Sequence, residues 1–279
     1  MTTIIDGRKI KDEMLEEIKN EVFQLPFSPV FCDILVGDNS VSASYVRIKE
    51  KLALLAGIKF RTAEFKESAT TEELIEEIEN LNRVPHMCGI IIQLPLPNHI
   101  DKRKVLDAIT PVLDVDCLGS VNSEKFYNNE GGISFPTALA CIKILDSLNV
   151  DLSQKKILIL GQGSLVGLPV THILKTRGLE VDIVNTKTTN TDELIKNADV
   201  IISAIGKAKF IKGDMVKDGV IIIDAGTSED NGAIVGDVDL ESVTGIASFV
   251  SPTPGGVGPV TVAMLLSNVL QVAKNKVIK

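Results

Sequence analysis

Apolar runs and helical patterns alternate along the whole chain. Runs at 29–37 and 88–94 predict buried strands, and the alternating segment 58–65 predicts a third strand. Amphipathic helices are predicted between them at 42–57 and 70–82. A β-α-β-α-β order of this kind predicts a parallel sheet with right-handed crossovers.

A second series of the same kind begins near residue 135. It starts with a predicted helix, continues with four predicted strands separated in part by helical segments, and ends with an apolar helix. These segments are 137–148, then 155–160, 179–185, 198–206 and 219–226, then 260–275. The pattern is that of a doubly wound sheet, so we predict an α/β fold with two α/β lobes and a cleft between them. The segment 112–132 lies between the two series, and its Asn- and Gly-rich end is predicted to be an irregular connection.

Composition narrows the functional classes. The chain has 279 residues, 44% of them hydrophobic and only 4% aromatic, so Ile, Val and Leu must form the cores. The formal net charge of −8 argues against a nucleic-acid or anionic-membrane partner, which would need a basic face. We also expect no membrane span, because no apolar run approaches the required length.

Cysteine and histidine usage points to a cytoplasmic protein without a metal site. Four scattered cysteines form no CxxC pair, which predicts reduced, buried thiols. The N-terminus lacks the apolar core of a signal peptide. His86, His99 and His172 have no ligand spacing, so no metal is expected.

The loop GQGSLVGLP (161–169) follows an apolar run and precedes a helical segment. Its GxGxxxG spacing is one residue longer than the dinucleotide-binding fingerprint, but a strand-loop-helix context directs backbone N–H groups and the helix dipole at one point. A dinucleotide site is therefore favoured over an ordinary tight turn. The next predicted strand ends in Asn185, Thr186, Lys187 and Thr188 without a carboxylate, which favours NADP over NAD, unless Lys187 is simply solvated.

Tyr45 and Lys49 lie four residues apart on one predicted helix face, as an acid–base pair or as a solvated surface contact. Gln93 is at the carboxyl end of a predicted buried strand, where α/β sites collect, although it could simply cap that strand. Asp114 and Asp116 form a DVD segment that could equally be a turn. In SPTPGGVGP (251–259) prolines fix the backbone, and glycines allow a ligand to approach closely.

Together these segments resemble the bifunctional methylenetetrahydrofolate dehydrogenase/methenyltetrahydrofolate cyclohydrolase family. The resemblance spans nearly the whole chain and lies in VGDNSVSASYVRIKEK (36–51), GIIIQLPLPNHID (89–101), DVD (114–116), GQGSLVGLP (161–169), IIIDAG (221–226), GDVD (236–239) and SPTPGGVGPVTVAMLLSN (251–268). QLPLP and PGGVGP together are highly specific for it.

The resemblance implies two reactions. Hydride transfer from 5,10-methylenetetrahydrofolate to the nicotinamide would depend mainly on alignment. Water would then hydrolyse the methenyl cation to 10-formyltetrahydrofolate, with Lys49 as the proton carrier, Tyr45 beside it, Gln93 tuning it and Asp116 holding the pterin. A lysine serves as a base near neutral pH only if burial or neighbours depress its pKa.

The resemblance also implies the remaining site residues, the domains and the assembly. Expected substrate contacts are Tyr45, Gln93, Leu94, Asp116, Pro254, Gly255 and Gly256. Expected cofactor contacts are Gly161, Gln162, Gly163, Ser164, Val166, Thr186, Lys187, Ala204, Ile205, Gly206, Asp224, Gly226 and Thr261. Residues 1–134, with the closing helix 259–279, would form a folate-binding catalytic domain, residues 135–258 a Rossmann-like NAD(P)-binding domain, and two chains a homodimer.

Some positions depart from the family pattern. Gln162 replaces an arginine that often contacts the NADP 2′-phosphate, so an NAD-dependent dehydrogenase remains an alternative, although Thr186 conservatively replaces a family serine. Leu113 and Cys117 replace the lysine and glycine that flank DVD, and FPTA (135–138) replaces P-C-T-P. A third alternative is a folate- or nucleotide-binding protein with little turnover.

Overall fold

The computed structural model describes residues 1–230 and 232–278, without the side chains of residues 40 and 41. Up to residue 136 the elements are β1 (Thr3–Ile4), α1 (Gly7–Val22), β2 (Val30–Val36), α2 (Ser40–Leu55), β3 (Lys59–Phe65), α3 (Thr71–Asn82), β4 (Met87–Ile92), α4 (Lys102–Ala108) and α5 (Ser120–Tyr127). They continue with α6 (Pro136–Ser147), β5 (Ile157–Leu160), α7 (Gly167–Thr176), β6 (Val181–Val184), α8 (Thr191–Asn197), β7 (Val200–Ser203), a 3₁₀ turn (Gly213–Met215), β8 (Ile221–Asp224), β9 (Ser228–Asp230), β10 (Ala233–Val235), α9 (Leu240–Val243), β11 (Phe249–Val250) and α10 (Val257–Ile278).

The chain divides into two compact units. One, here called the lysine unit because it contains Lys49, comprises residues 12–136 and the chain from 262 onward, and the other, the loop unit, comprises 1–11 and 137–261. The boundaries predicted from the sequence differ at the N-terminus, because β1 pairs in parallel with β11 and the backbone N–H of Gly7 donates to Gly255 O over 3.0 Å. These contacts attach the first residues to the loop unit.

The lysine unit is built on a three-stranded sheet in the order β3-β2-β4. Its strands pair in parallel, as the β-α-β-α-β pattern predicts. Every residue of β2 and β4 is buried, and β3 at the edge is mostly exposed. A capping box begins α3, in which the Thr70 hydroxyl accepts from the Glu73 N–H and the Glu73 carboxylate accepts from the Thr70 N–H. In this unit the local sequence signals, such as the capping box, therefore favour the same helices and strands as the packing of the sheet does.

The segment 112–132 contains a short helix, α5, that was not predicted from the sequence. Tertiary contacts hold this short helix in place: the Asn122 side-chain amide donates to Pro111 O over 2.8 Å and to Asp114 O over 3.0 Å. The polar, weakly periodic sequence of the segment does not reveal these contacts. Its Asn- and Gly-rich end is irregular, as predicted.

The loop unit is built on a six-stranded sheet in the order β6-β5-β7-β8-β11-β1, with parallel pairing throughout. The chain passes from β5 to β6 on one side and then returns to β7 on the other side of β5. This reversal is a topological switch point, where doubly wound sheets bind ligands beyond the carboxyl ends of the strands. The predicted doubly wound, Rossmann-like fold is confirmed. The short antiparallel pair of β9 and β10 was not predicted.

Helix α10 is an apolar core helix. Among the described residues it alone is long and apolar enough to cross a membrane by length and composition, contrary to the expectation that no segment would be. Its mean hydropathy is 1.3, although Ser267, Asn268 and Gln271 lie within the apolar stretch. In the structure 61% of its apolar stretch is buried, and the Asn268 amide donates to Val115 O and Ser134 O, which fits a helix packed inside a protein.

Candidate functional site

Lys49 and Gln93 meet at the carboxyl end of β4. Gln93 follows the last residue of that strand, and its backbone N–H donates to Ile34 O over 2.8 Å, which extends the ladder with β2. Lys49 lies on α2, and its Nζ donates to Gln93 Oε1 over 2.7 Å. Lys49 is only 7% exposed, so it is not a solvated surface lysine. Tyr45 lies one turn earlier on α2 and is half-buried.

Asp33 is the ion-pair partner of Lys49, and the sequence-based interpretation missed it. Asp33 Oδ2 lies 2.5 Å from Lys49 Nζ, and the residue is fully buried in the middle of β2. Burial raises the pKa of its carboxyl group, and the Lys49 charge opposes that rise. The available signal was a single acidic residue within an otherwise apolar predicted strand, because a buried carboxylate requires a partner.

The two carboxylates of DVD have different surroundings. Asp114 is buried and accepts from the backbone N–H groups of Leu118 and Gly119 over 3.2 and 2.9 Å, which fixes the turn before α5. Asp116 is half-buried, and burial raises its pKa to about 7 against the opposing charge of Lys49. Asp116 also interacts electrostatically with Asp33. The structure therefore groups Asp116 with Lys49, Gln93 and Asp33.

This cluster is suited to proton transfer. A buried lysine amine, two carboxyl groups with raised pKa values and a neutral amide can exchange and orient protons without exposing charge to water. Leu94, which follows Gln93, is half-buried beside it in the chain.

The loop after β5 begins at a tight crossing of two backbones. Gly161 has φ +92°, and a Cβ there would lie 2.6 Å from the carbonyl oxygen of Ala204, which follows β7. A Cβ on Gly167, at the start of α7, would lie 2.0 Å from Gly161 O. At Gly163, by contrast, a Cβ would meet nothing within 4 Å. The two outer glycines let the loop close, and the middle one leaves room for a ligand to approach.

Except for Thr261, which lies on α10, the predicted cofactor residues collect at the carboxyl ends of four neighbouring strands. Those ends belong to β6, β5, β7 and β8, and the residues there are Gly161, Gln162, Gly163, Ser164, Val166, Thr186, Lys187, Ala204, Ile205, Gly206, Asp224 and Gly226. Val166 is the N-cap residue of α7, and its apolar side chain leaves this helix end without a side-chain cap. Thr186 and Lys187 are exposed beyond β6.

Gln162 is held by its own loop and helix. Its side-chain Nε2 donates to Gly161 O over 2.9 Å and to Thr171 Oγ1 over 3.1 Å. The amide thus links the loop to α7.

Buried carboxylates shape the next two loops. Asp237 accepts from the backbone N–H groups of Ile205 and Lys207 over 2.9 and 2.7 Å. Asp224 accepts from three backbone N–H groups, those of Gly226, Asp237 and Val238. Burial raises the pKa of Asp224 to about 7. With Asp224 only 2% exposed, its carboxylate supports the loop from inside.

The Pro- and Gly-rich loop after β11 packs closely against the start of α1. A Cβ on Gly7 would lie 1.8 Å from Gly256 O, and Gly255 has φ +109°. Pro254 follows a cis peptide bond in the same loop. Further along, the Thr261 hydroxyl donates to Val257 O within α10. The loop unit therefore carries Pro254, Gly255 and Gly256, and the lysine unit carries the other predicted substrate contacts.

The four cysteines, Cys32, Cys88, Cys117 and Cys141, are free and buried, as predicted. Burial raises the pKa of each thiol, to about 12 for Cys32 and Cys141. Neutral thiols of this kind are inert. Within residues 1–230 and 232–278, no group of three or more His, Cys, Asp or Glu residues is arranged to hold a metal ion.

Comparisons with known proteins identify the family of the chain. Residues 5–116 match the catalytic domain of the tetrahydrofolate dehydrogenase/cyclohydrolase family, and residues 136–277 match its NAD(P)-binding domain. The bifunctional protein FolD of Halothermothrix orenii is 38% identical over 279 residues, which cover 98% of this chain and 99% of that protein.

Two solved structures are similar over the full chain. The bifunctional FolD enzyme of Campylobacter jejuni is 37% identical with a TM-score of 0.94, covering 99% of this chain and 100% of that one. The Trypanosoma brucei dehydrogenase-cyclohydrolase, solved with NADP and an inhibitor, is 33% identical with a TM-score of 0.95, covering 100% of this chain and 99% of that one. The chain belongs to the tetrahydrofolate dehydrogenase/cyclohydrolase family.

Proposed function

We propose that this chain oxidises 5,10-methylenetetrahydrofolate with NADP and hydrolyses the resulting methenyl cation to 10-formyltetrahydrofolate. The observation that carries the proposal is the 2.7 Å hydrogen bond from the buried Lys49 to the half-buried Gln93, in a chain whose two halves match the two domains of the family. A binding protein without turnover would have no need for a buried lysine surrounded by carboxyl groups.

The loop unit fits a dinucleotide cofactor. The open approach at Gly163, in the loop that leads into α7, suits a pyrophosphate, and Ser164 offers a hydroxyl beside it. When bound, NADP supplies the acceptor for the hydride of the substrate's methylene carbon. The protein contributes to this step by aligning the two molecules. Pro254, Gly255 and Gly256 would border the substrate, and Thr261 would border the cofactor.

In the hydrolytic step, Lys49 Nζ accepts a proton from the water that attacks the methenyl carbon. Gln93 fixes the direction of that amine through its Oε1, and Tyr45 lies beside it on α2. Asp116 holds the pterin of the substrate, with Leu94 adjacent. A raised pKa allows Asp116 to bind as a neutral carboxylic acid or as an anion near neutral pH.

Lys187 and Thr186 favour NADP over NAD, because they are exposed beyond β6 where a ribose 2′-phosphate would lie. A cation and a hydroxyl stabilise a phosphate there, whereas an NAD site usually offers a carboxylate. Gln162 is held within its own loop and supplies no charge.

Initial rates test this function directly. The chain would be supplied with 5,10-methylenetetrahydrofolate and matched concentrations of NADP or NAD, while reduced nicotinamide and the methenyl intermediate are followed separately. We expect turnover with NADP and a subsequent loss of the methenyl absorbance. Absence of turnover with both cofactors would favour a binding protein, and faster turnover with NAD would contradict the cofactor choice.

The enzyme is further proposed to be a cytoplasmic homodimer with a folate-binding catalytic domain and a Rossmann-like cofactor domain. Free, buried cysteines are consistent with a reducing compartment. Light scattering on the purified chain tests the dimer, and a mass of one chain at micromolar concentration would contradict it.

A further inference from the structure

Asp33 occupies an unusual place for a carboxylate. It lies in the middle of β2, the central strand of the lysine unit, and is 0% exposed. Its register partners are neutral, namely Thr62 on β3 and Ile91 on β4. Only a specific interaction can offset the cost of a charge in such a position.

The fold makes little use of this carboxylate. Among the described residues, neither oxygen of Asp33 accepts from any group other than Lys49, whose Nζ lies 2.5 Å from Oδ2 and lowers the pKa of the carboxyl group by its charge and by donating to it. Asp114 and Asp224, which do shape loops, each accept from backbone N–H groups. The carboxylate of Asp33 accepts from no described backbone group and pairs only with the Lys49 amine. This argues that Asp33 serves the function of Lys49 rather than the stability of a loop or strand.

We propose that Asp33 is a positioning residue for hydrolysis, taking the proton of the Lys49 ammonium within the buried pair so that the amine is free to act. This inference rests on the hydrolytic function proposed above. The oxygen of water bonds to the methenyl carbon as one of its O–H bonds breaks, and that proton goes to Nζ. The pair then carries one extra proton, which it releases to solvent because hydrolysis of the cation yields one proton overall.

The charges around the pair are compatible with this transfer. Asp116, on the loop before α5, interacts with both Lys49 and Asp33, and Asp114 on the same loop interacts with Asp116. Cys32, adjacent on β2, is a neutral thiol whose pKa is raised by burial and by Asp33. The charge of Glu77 on α3 also raises the pKa of the Cys32 thiol, and the charge of Arg61 on β3 lowers it.

Burial also favours the neutral form of Asp33. The raised pKa of its carboxyl group makes it a better proton acceptor from the ammonium than an exposed aspartate would be. Moving the proton from nitrogen to oxygen removes both charges of the pair from a buried environment, so the energetic cost of the transfer is smaller than in water.

The test is the pH profile of the hydrolytic kcat, measured on purified wild-type enzyme and on Asp33→Asn with methenyltetrahydrofolate. In the wild type the Lys49 amine becomes free by passing its proton to Asp33, so no proton has to leave for solvent beforehand. In Asp33→Asn the amine must lose its proton to solvent first. We therefore expect hydrolysis at pH 7 to fall by about tenfold or more and the acid limb of the profile to move to higher pH.

Two results would overturn the proposal. An unchanged profile would show that Asp33 does not participate, and an acid limb moved to lower pH would show that Asp33 only keeps the ammonium charged. The dehydrogenase rate, which needs no proton from Lys49, is expected to fall less than the hydrolytic rate. Glu79→Gln, an exposed carboxylate of α3, is the matched control and should alter neither activity.

The experiment remains decisive even if Asp33→Asn folds in low yield. The pH at which the limb falls is independent of the amount of folded enzyme, and Asp33→Ala provides a second variant with the same expected shift. The outcome is also separable from the proposed function. A wild type without hydrolysis contradicts that function, whereas a hydrolysing wild type with an unshifted Asp33→Asn contradicts only the role of Asp33.

Discussion

Gln93 Oε1 accepts a 2.7 Å hydrogen bond from Lys49 Nζ across 44 residues of sequence. The contact joins the middle of a helix to the carboxyl end of a neighbouring strand and leaves Lys49 only 7% exposed. Such an amine is fixed in direction before substrate arrives. Pre-organisation of this kind is what a general base requires.

Replacing Lys49 should separate the two activities. In Lys49→Met the hydrolytic kcat is expected to fall by roughly 10²–10⁴, the usual contribution of a general acid or base. Dehydrogenase turnover should persist, because hydride transfer depends on alignment rather than on proton transfer. Stopped-flow measurement of methenyl decay and of reduced nicotinamide formation would report the two steps.

The matched control is Lys51→Met, which removes an exposed lysine from the same helix. It should leave both steps unchanged. Equal losses of both activities in Lys49→Met, with folate binding also lost, would contradict a specific role in hydrolysis.

The ion pair of Lys49 with Asp33 predicts strongly non-additive stability. Lys49→Met alone leaves a fully buried carboxylate without its cation, which typically costs about 3–5 kcal/mol. The double variant Asp33→Val with Lys49→Met removes both charges and should recover most of that loss, since buried pairs are often replaceable by apolar residues. Urea unfolding of both single variants and the double variant gives the coupling energy. Additive effects would show that the pair is not buried in solution.

The sequence predicted the repeated strand-helix order because that order depends on local periodicity. The buried strand at 88–94 and the capped helix at 70–82 appear in the structure within a residue or two. Helix α5 was missed because tertiary hydrogen bonds from Asn122, rather than periodicity, hold it. Attachment of residues 1–11 to the loop unit was missed for the same reason, since pairing between β1 and β11 is non-local.

The site was predictable to the extent that side chains lie on recognisable elements. Lys49 has helical spacing from Tyr45, and Gln93 ends an apolar run, so both could be singled out. Asp33 could not be paired with Lys49 from the sequence, because the pairing depends on which face of β2 lies against α2. A lone acidic residue in an apolar strand shows that a partner exists but does not identify it.

The three glycines of the loop after β5 should respond differently to alanine. Gly161→Ala combines positive φ with a backbone clash, so it should destabilise the protein by more than the ~1–2 kcal/mol that left-handed geometry alone costs. Gly167→Ala, with a similar clash, should behave alike. Gly163→Ala should change stability by less than about 0.5 kcal/mol, yet raise the KM for NADP, because its Cβ would fill the space through which the cofactor approaches.

Gly178→Ala is the matched control for Gly161, because its φ is +78° but a Cβ there would meet nothing within 4 Å. Thermal unfolding and NADP titrations on all four variants would separate backbone strain, steric clash and ligand exclusion. A Gly163→Ala variant with unaltered KM for NADP would remove this loop from the cofactor site.

Asp224 should make stability fall as pH rises. Its pKa is about 7 in the folded protein and near the ordinary 3.8 when unfolded, so between these values the folded state binds more protons. The contribution of Asp224 to the free energy of unfolding is therefore full below about pH 4, falls through pH 7 and is constant above. Asp224→Asn should flatten this decline, as measured by urea unfolding at several pH values. Asp218→Asn, which changes an exposed carboxylate, is the control and should leave the decline as it is in the wild type. If stability of Asp224→Asn fell with pH as steeply as that of the wild type, the assignment to Asp224 would be contradicted.

The preference for NADP over NAD should depend on Lys187, and it should increase when arginine replaces Gln162. Lys187→Ser removes an exposed cation beyond β6, and a charge-assisted hydrogen bond to phosphate is worth about 1.5–3 kcal/mol, so the KM for NADP should rise by roughly tenfold or more. The KM for NAD should not change, because NAD lacks the 2′-phosphate. Gln162→Arg releases the side chain from Gly161 and Thr171 and adds a cation, which should lower the KM for NADP. Equal changes for both cofactors in Lys187→Ser would place the 2′-phosphate elsewhere.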